Sequence, residues 1–394
     1  MRLFCLTMNF AILCIFISCS SHAREVLTVG LVHDNVNERY LILELEKEFE
    51  RRAPHIDIQA VGVHTNQYKY KVIDWLKQEA GPDILFWYGS ERLKELVRSG
   101  WVSPIDDIWA SHSLSSTYQA SVIDQVKEGK SYFGIPVSYY SWSLFFNQML
   151  FHKLDLAPPQ TWEAFLSVCE KLHDENIIPI AIGYRDPWTL TAWFELLNLR
   201  LHGAQFHNAV LSGTVAYTEP RIKDVFQRWK LLIDKGYFQE NGDALDWDDP
   251  MTYLYREVAG MTLIGHFFSS RIPSNLKERI GLFSFPELVP DQARVELAPL
   301  DVFFVRASSP KQKYAMQFLS YLTSIEAQIT LNQYTGGFTP MLGAPPSVER
   351  LDEAGAYLLK QASATSPYFD RAVPTNFAEP SNARIESLYV KSRY

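Results

Sequence analysis

The chain is poor in cysteine, carries no excess of basic charge, and lacks the short motifs that mark common catalytic sites. It holds four cysteines among 394 residues, and three of them, Cys5, Cys14 and Cys19, fall near the N-terminus. Only Cys169 lies in the body of the chain, which excludes an intrachain disulfide there and any multi-cysteine metal site. Cys169 sits in the helical pattern Trp162-Phe165-Leu166-Cys169 and reads as a buried, inert thiol. Lys and Arg number 37 against 45 Asp and Glu, a net charge of −8. No basic patch stands out, so nucleic acid is a poor partner. There is no Gly-x-Ser-x-Gly elbow, no His-Glu-x-x-His and no Cys-x-x-Cys. Gly129-Lys130-Ser131 lacks the upstream glycine of a phosphate loop and reads as a hairpin turn. Asp246, Asp248 and Asp249 cluster, and glycosidases do use carboxylate pairs. Neighbouring acids in one short segment read instead as a solvated loop or helix cap, and no His or Cys joins them at metal-ligand spacing. No cofactor or metal is expected, and enzyme is the weaker class.

The one long apolar run, Phe10 to Ile17, is shorter than the about 20 residues a bilayer span needs. Arg2 precedes it and the small or polar residues Ser18 to Ala23 follow, the layout of a secretory signal peptide over residues 1–23 with cleavage before Arg24. Phe16-Ile17-Ser18-Cys19 also resembles a bacterial lipobox, with Phe where Leu is preferred, so acylation at Cys19 is the alternative to free secretion into the periplasm. Hydrophobic residues make up 47% of the chain and aromatics 14%, enough for a sizeable core. The length suggests roughly two domains of about 150 residues each.

Val26 to Val32 is apolar and β-branched, as in a strand buried on both faces. A helical pattern around Tyr40, Leu43 and Phe49 stops at Pro54, and Ile56 to Val61 alternates as a second strand. Tyr70 to Glu79 reads as a helix, Ile84 to Trp87 as a third strand, and Glu91 to Arg98 as a helix ending at Gly100. This β-α rhythm predicts an α/β lobe with a mainly parallel sheet. Thr161 is a candidate N-cap, Ile177 to Ile182 a strand, and Trp193 to His202 and Ile222 to Gly236 helices. Ala259 to Ile264, Ile280 to Phe285 and Val302 to Val305 are further strands, and Tyr314 to Leu322 and Glu326 to Tyr334 further helices. No linker separates independent domains, so two α/β lobes with shared connections are expected.

Aromatic residues recur beside turn signals at predicted strand ends rather than in helical stripes. Trp87-Tyr88-Gly89 ends the third strand, at the edge where ligands bind in open α/β sheets. Tyr139-Tyr140-Ser141-Trp142 follows the turn Gly134-Ile135-Pro136. Asp186-Pro187-Trp188 follows another strand end, as does Gly265-His266-Phe267-Phe268. Sugars present apolar C–H faces and hydroxyl rims, which match flat aromatic faces and a few placed polar groups.

The ordered motifs carry a resemblance. Gly81-Pro82-Asp83-Ile84-Leu85-Phe86-Trp87 is similar to a segment of the family 1 extracellular solute-binding proteins, as are Tyr132-Phe133-Gly134-Ile135-Pro136 and Leu144-Phe145-Phe146-Asn147. Pro158-Pro159-Gln160-Thr161-Trp162-Glu163 is the most specific match. Ala259-Gly260-Met261 with Gly265, Ser309-Pro310-Lys311 and Phe318-Leu319-Ser320-Tyr321-Leu322 follow in the family's order. The resemblance implies a type II periplasmic binding protein fold of two mainly parallel α/β lobes joined by crossover strands. Lobe I would take residues 24–137 and 299–337, and lobe II residues 138–298 and 338–394. It implies a monomer that binds a sugar or oligosaccharide between the lobes and delivers it to an ABC transporter permease. By position it places Trp87 as a stacking residue and Tyr140 as a polar contact, with Trp188, Phe267, Asp301 and His33 in the cleft. Tyr88, Trp142 and His266 join them from the strand-end reading.

Other readings stay open on the sequence. Tyr139-Tyr140 with His33 and Glu91 resembles the ferric-ion set of some relatives, although neighbours on a strand face opposite ways. A sensing subunit for a membrane receptor uses the same binder, and a secreted glycan-acting enzyme would show turnover.

Overall fold

The computed structural model describes residues 24–33, 36–216, 218–345 and 347–391. The expected signal peptide and Cys19 lie outside the described residues. Two sheets organise the chain. The first is ordered Ile56–Val63, Glu25–Val32, Ile84–Tyr88, Leu300–Val305 and Ile135–Tyr139. Its first three strands pair in parallel, from Glu25 with Ile56 to Val32 with Val63, and through Val29 with Ile84. The strand Leu300–Val305 runs antiparallel to both of its neighbours. Asp83 fixes the start of the third strand: one carboxylate oxygen accepts from the Thr28 backbone and hydroxyl at 2.9 and 2.8 Å, and the other from the Ser309 hydroxyl at 2.7 Å.

The second sheet is ordered Ile280–Phe283, Trp142–Asn147, Ala259–Gly265 and Ile178–Ile180. Here a mainly parallel sheet was expected, but two pairings are antiparallel and one is parallel. The reason lies in the connection. Trp142–Asn147 enters directly from the first sheet, two residues after Ile135–Tyr139 ends, so it runs away from the lobe junction, whereas Ala259–Gly265 ends there with Gly265 opposite Trp142. All six of its residues are buried, which is why Trp-Ser-Leu-Phe-Phe-Asn shows little alternation.

Apolar side chains divide into two large cores. One runs from Leu27 to Val137 and resumes from Leu300 to Met341. The other runs from Tyr140 to Leu297 and resumes with Leu351, Tyr368, Ile385 and Tyr389. The chain therefore passes between lobes near residues 138–139, 298–299 and 342–350. Tyr139 and Phe338 exchange backbone hydrogen bonds of 2.9 and 2.8 Å, tying the first passage to the third. The helix Trp188–Leu211 is buried on every side from Thr189 to Arg200 and runs through the second core before a kink at Gly203. The polar side chains it buries there, Glu195, Asn198 and Arg200, are hydrogen-bonded, as buried polar groups must be. It starts five residues before the helix the periodicity suggested at Trp193, and that shift matters for the site.

Candidate functional site: an aromatic-walled interlobe cavity

A cavity of about 200 Å³ opens between the lobes. From lobe I, the strand Ile84–Tyr88 contributes Phe86 and Tyr88, and the helix Thr65–Lys77 contributes Thr65, Asn66 and Lys69. Successive strand residues face opposite ways, so Trp87 cannot share that face with its neighbours. The expectation for Trp87 is corrected accordingly. Its indole N–H donates to the Arg92 carbonyl at 3.2 Å, and the ring is only 3% exposed within the lobe I core. Asn66 presents a buried side-chain carbonyl oxygen with no hydrogen-bond partner among the described residues. Such an orphan acceptor is unusual in a folded protein and fits a ligand hydroxyl.

Lobe II supplies a cage of rings. Trp142 stacks on Tyr368 with centroids 4.9 Å apart and planes 5° from parallel. The Tyr368 hydroxyl donates to the Trp188 carbonyl, which pins the first residue of the long helix. Trp188 in turn lies 5.9 Å from Trp142 and 6.0 Å from Trp247. Phe267 meets Tyr140 and Trp247 edge-on at 5.2 and 5.3 Å, the geometry that aromatic quadrupoles favour. Gly265 permits this fold-back, because a Cβ there would stand 2.2 Å from the Phe267 ring. The Arg271 guanidinium covers Trp247 at 4.6 Å.

Arg371 joins the two walls. Its guanidinium donates to Asp301 and to the Tyr140 hydroxyl, both at 2.7 Å, and lies 4.1 Å above the Tyr88 ring. The segment that carries it is clasped by lobe I, where the Arg92 guanidinium donates to the Asp370 carbonyl and the Glu95 carboxylate accepts from the Thr375 backbone at 3.0 Å. Burial pushes the Asp301 carboxyl up to about 6, against the lowering effect of Arg371. Asp186 is likewise raised by burial and held back by Lys69. Burial also raises the Tyr88 and Tyr140 phenols, so both stay neutral hydrogen-bonding groups.

Six of the residues singled out by sequence therefore line one cavity: Tyr88, Tyr140, Trp142, Trp188, Phe267 and Asp301. Besides Trp87, two do not. His33 leans over Gly62 at the end of its strand, and its backbone N–H donates to Val63 at 3.0 Å. The two residues before it, Leu31 and Val32, line the cavity instead. His266 is fully buried against Phe338, with Nε2 3.0 Å from Asp352. It ties the strand end to the helix Arg350–Gln361. Sequence reasoning missed Trp247, Arg271, Tyr368, Asp370 and Arg371. Pro367-Tyr368-Phe369-Asp370-Arg371, a turn signal followed by paired aromatics and charges, was the available cue. Trp247 lay hidden beside the acidic cluster, in which Asp246 pairs with Arg185 at 2.6 Å.

The ferric-ion set does not assemble. Tyr140 faces the cavity, while Tyr139 packs on Phe338 at 6.0 Å and Glu91 pairs with Arg98. Among the described residues no three His, Cys, Asp or Glu side chains stand together as a metal site, and no helix is long and apolar enough to cross a membrane.

Two α/β lobes, three passages between them and a ring-lined cavity at their junction define a solute-binding clamp. Its family follows from comparison: the model of the bacterial extracellular solute-binding proteins matches residues 35–329, and the chain belongs to that family. It is 25% identical over 357 residues to an uncharacterized ABC transporter extracellular-binding protein of Pyrococcus horikoshii, covering 87% of this chain and 79% of that one. It is 22% identical to the multiple sugar-binding protein of Streptococcus mutans, covering 78% of this chain and 74% of that one. Among solved structures, the solute receptor AcbH, described as preferring β-D-galactopyranose exclusively, superposes with a TM-score of 0.88 at 20% identity, covering 94% of this chain and 95% of that one. A chitin oligosaccharide binding protein gives a TM-score of 0.84 at 22% identity, with the same coverage. The type II periplasmic binding protein fold is thus the fold of this chain.

Proposed function

We propose that this protein captures a carbohydrate between its lobes and hands it, chemically unchanged, to an ABC importer. The observation that carries the reading is the lobe II cage of Trp142, Trp188, Trp247, Phe267 and Tyr368 facing a polar rim of Asn66, Lys69, Asp186, Asp370 and Arg371. Rings cover the C–H faces of a sugar, and the rim exchanges hydrogen bonds with its hydroxyls. The sugar-binding relatives support the same reading. Closure follows from differential affinity: a ligand that touches both walls binds the closed form better and so draws the lobes together. The lobes are residues 24–137 with 299–341 and 138–298 with 342–394; Met341 packs in the lobe I core, which supports a third passage after it rather than at 337. Residues 1–23 serve as the export signal, and the mature protein acts as a monomer on the outer side of the cytoplasmic membrane.

The test is a thermal-shift screen across sugars, polyols and amino acids, followed by calorimetry and by chemical analysis of the recovered ligand. A ligand at 100 times its Kd stabilises the folded form by about 2.7 kcal/mol, which a melting curve resolves. Stabilisation by a sugar recovered intact is the expected result. A shift with amino acids alone, or recovery of a cleaved glycan, would refute the proposal.

A further inference from the structure

Resting on the carbohydrate reading, we infer that the cleft takes one neutral six-membered polyhydroxylated ring and has no room for a second. Volume is the first ground. A cavity of about 150 Å³ accepts an unsubstituted six-membered ring such as benzene, whereas drug-sized ligands need about 300–1,000 Å³. At about 200 Å³, this cavity lies just above the first benchmark, which suits one ring with its hydroxyls.

The walls give the second ground. The lobe II side is a packed surface, with Trp142 1%, Tyr368 3%, Tyr140 6% and Trp247 6% exposed. These rings brace one another, Trp142 stacked on Tyr368 and Phe267 edge-on to Tyr140 and Trp247. Phe86 lies across the cavity from lobe I, beside the Tyr88 ring that Arg371 covers, so a ring between the walls meets protein on both faces. A two-sided sandwich suits a single pyranose with equatorial hydroxyls, whose axial C–H bonds alternate between its two faces.

Charge gives the third. The lining carries Asp186, Asp301 and Asp370 against Lys69, Arg271 and Arg371. Arg371 is committed to Asp301, and Arg271 lies over Trp247. The signs balance, so neither an acidic nor an amino sugar would find its charge compensated, and burying an uncompensated charge is costly.

Calorimetry on the wild-type mature chain tests this with matched probes: glucose, galactose, mannose and xylose, the corresponding β-1,4-linked disaccharides, glucuronate and glucosamine. One neutral monosaccharide should bind, its disaccharide at least 100-fold more weakly, and the charged analogues more weakly too. A disaccharide that binds tighter than its monomer would overturn the single-ring inference while leaving the carbohydrate reading intact. Tighter binding of glucuronate or glucosamine would overturn the neutrality argument alone. If every sugar fails while an amino acid binds, the carbohydrate reading itself falls and takes this inference with it.

Discussion

Two tryptophans separate a binding role from a packing role, and replacing each by alanine should give opposite signatures. Trp188 stands at the start of the long lobe II helix with part of its ring open to the cavity. Covering that remaining face with a ligand is worth about 1–2 kcal/mol, given about 1.5–3 kcal/mol for burying a whole large apolar side chain. Trp188→Ala should therefore weaken sugar binding by roughly 5- to 30-fold, at 1.4 kcal/mol per decade. The hydrogen bond from Tyr368 goes to the Trp188 backbone carbonyl and survives the change, so the unliganded fold should lose only ring contacts such as those with Trp142 and Trp247, less than the loss at Trp87. Trp87 is closed into the lobe I core. Truncating such a residue to alanine costs about 3–5 kcal/mol, which lowers the melting temperature by on the order of 10 °C. Ligand affinity at a temperature where the variant is folded should change by less than threefold. Melting curves with and without the identified sugar, together with calorimetry, read both quantities. If Trp87→Ala melts like wild type but no longer binds, or if Trp188→Ala binds normally, the assignment of strand faces is wrong.

The Arg371–Asp301 pair joins the walls through two side chains 10% and 12% exposed. Arg371→Met should cost about 3–5 kcal/mol because it strands a buried acid, and adding Asp301→Asn should recover most of that; strictly additive losses in denaturant unfolding would contradict the pairing. Because the native Asp301 carboxyl is pushed up to about 6 from an unfolded value of about 3.9, the native state binds this proton more tightly. Its contribution is fully present below about pH 4 and is lost as pH rises through about 6. The stability of wild type relative to Asp301→Asn should accordingly fall between pH 4 and pH 7, and a flat difference in melting temperature would refute the shift. Cys169 is fully buried, with its thiol raised well above the ordinary range by burial, so a thiol reagent at pH 8 should label it only after denaturation; rapid labelling of the native protein would place it elsewhere.

Much of the fold was legible because its causes are local. The strands Glu25–Val32 and Ala259–Gly265 are apolar but for Glu25, Thr28 and Thr262, and the helix Trp162–Asp174 has its cap signalled by Thr161, whose hydroxyl accepts from Ala164 at 3.3 Å. The direction of Trp142–Asn147 was not legible. A fully buried strand shows the same pattern whichever way it runs, and only the short connection from Ile135–Tyr139 decided it.

The site divides along the same line. Its chemical character is written in the chain: aromatic residues at strand ends, few cysteines, and ordered motifs of a solute-binding family. Which rings face the ligand is not. Trp87 and Tyr88 are neighbours, and a parity of one residue sends the first to the core and the second to the cleft, because side chains on a strand alternate. His266 and Phe267 part too, one to Asp352 and the other to the cage, on the short 3-10 turn that follows Ala259–Gly265. Arg371 lies 70 residues from Asp301 and 231 from Tyr140. No local pattern links positions so distant, and only the packing of the lobes, closed by a C-terminal segment that both of them hold, brings these three together at one wall.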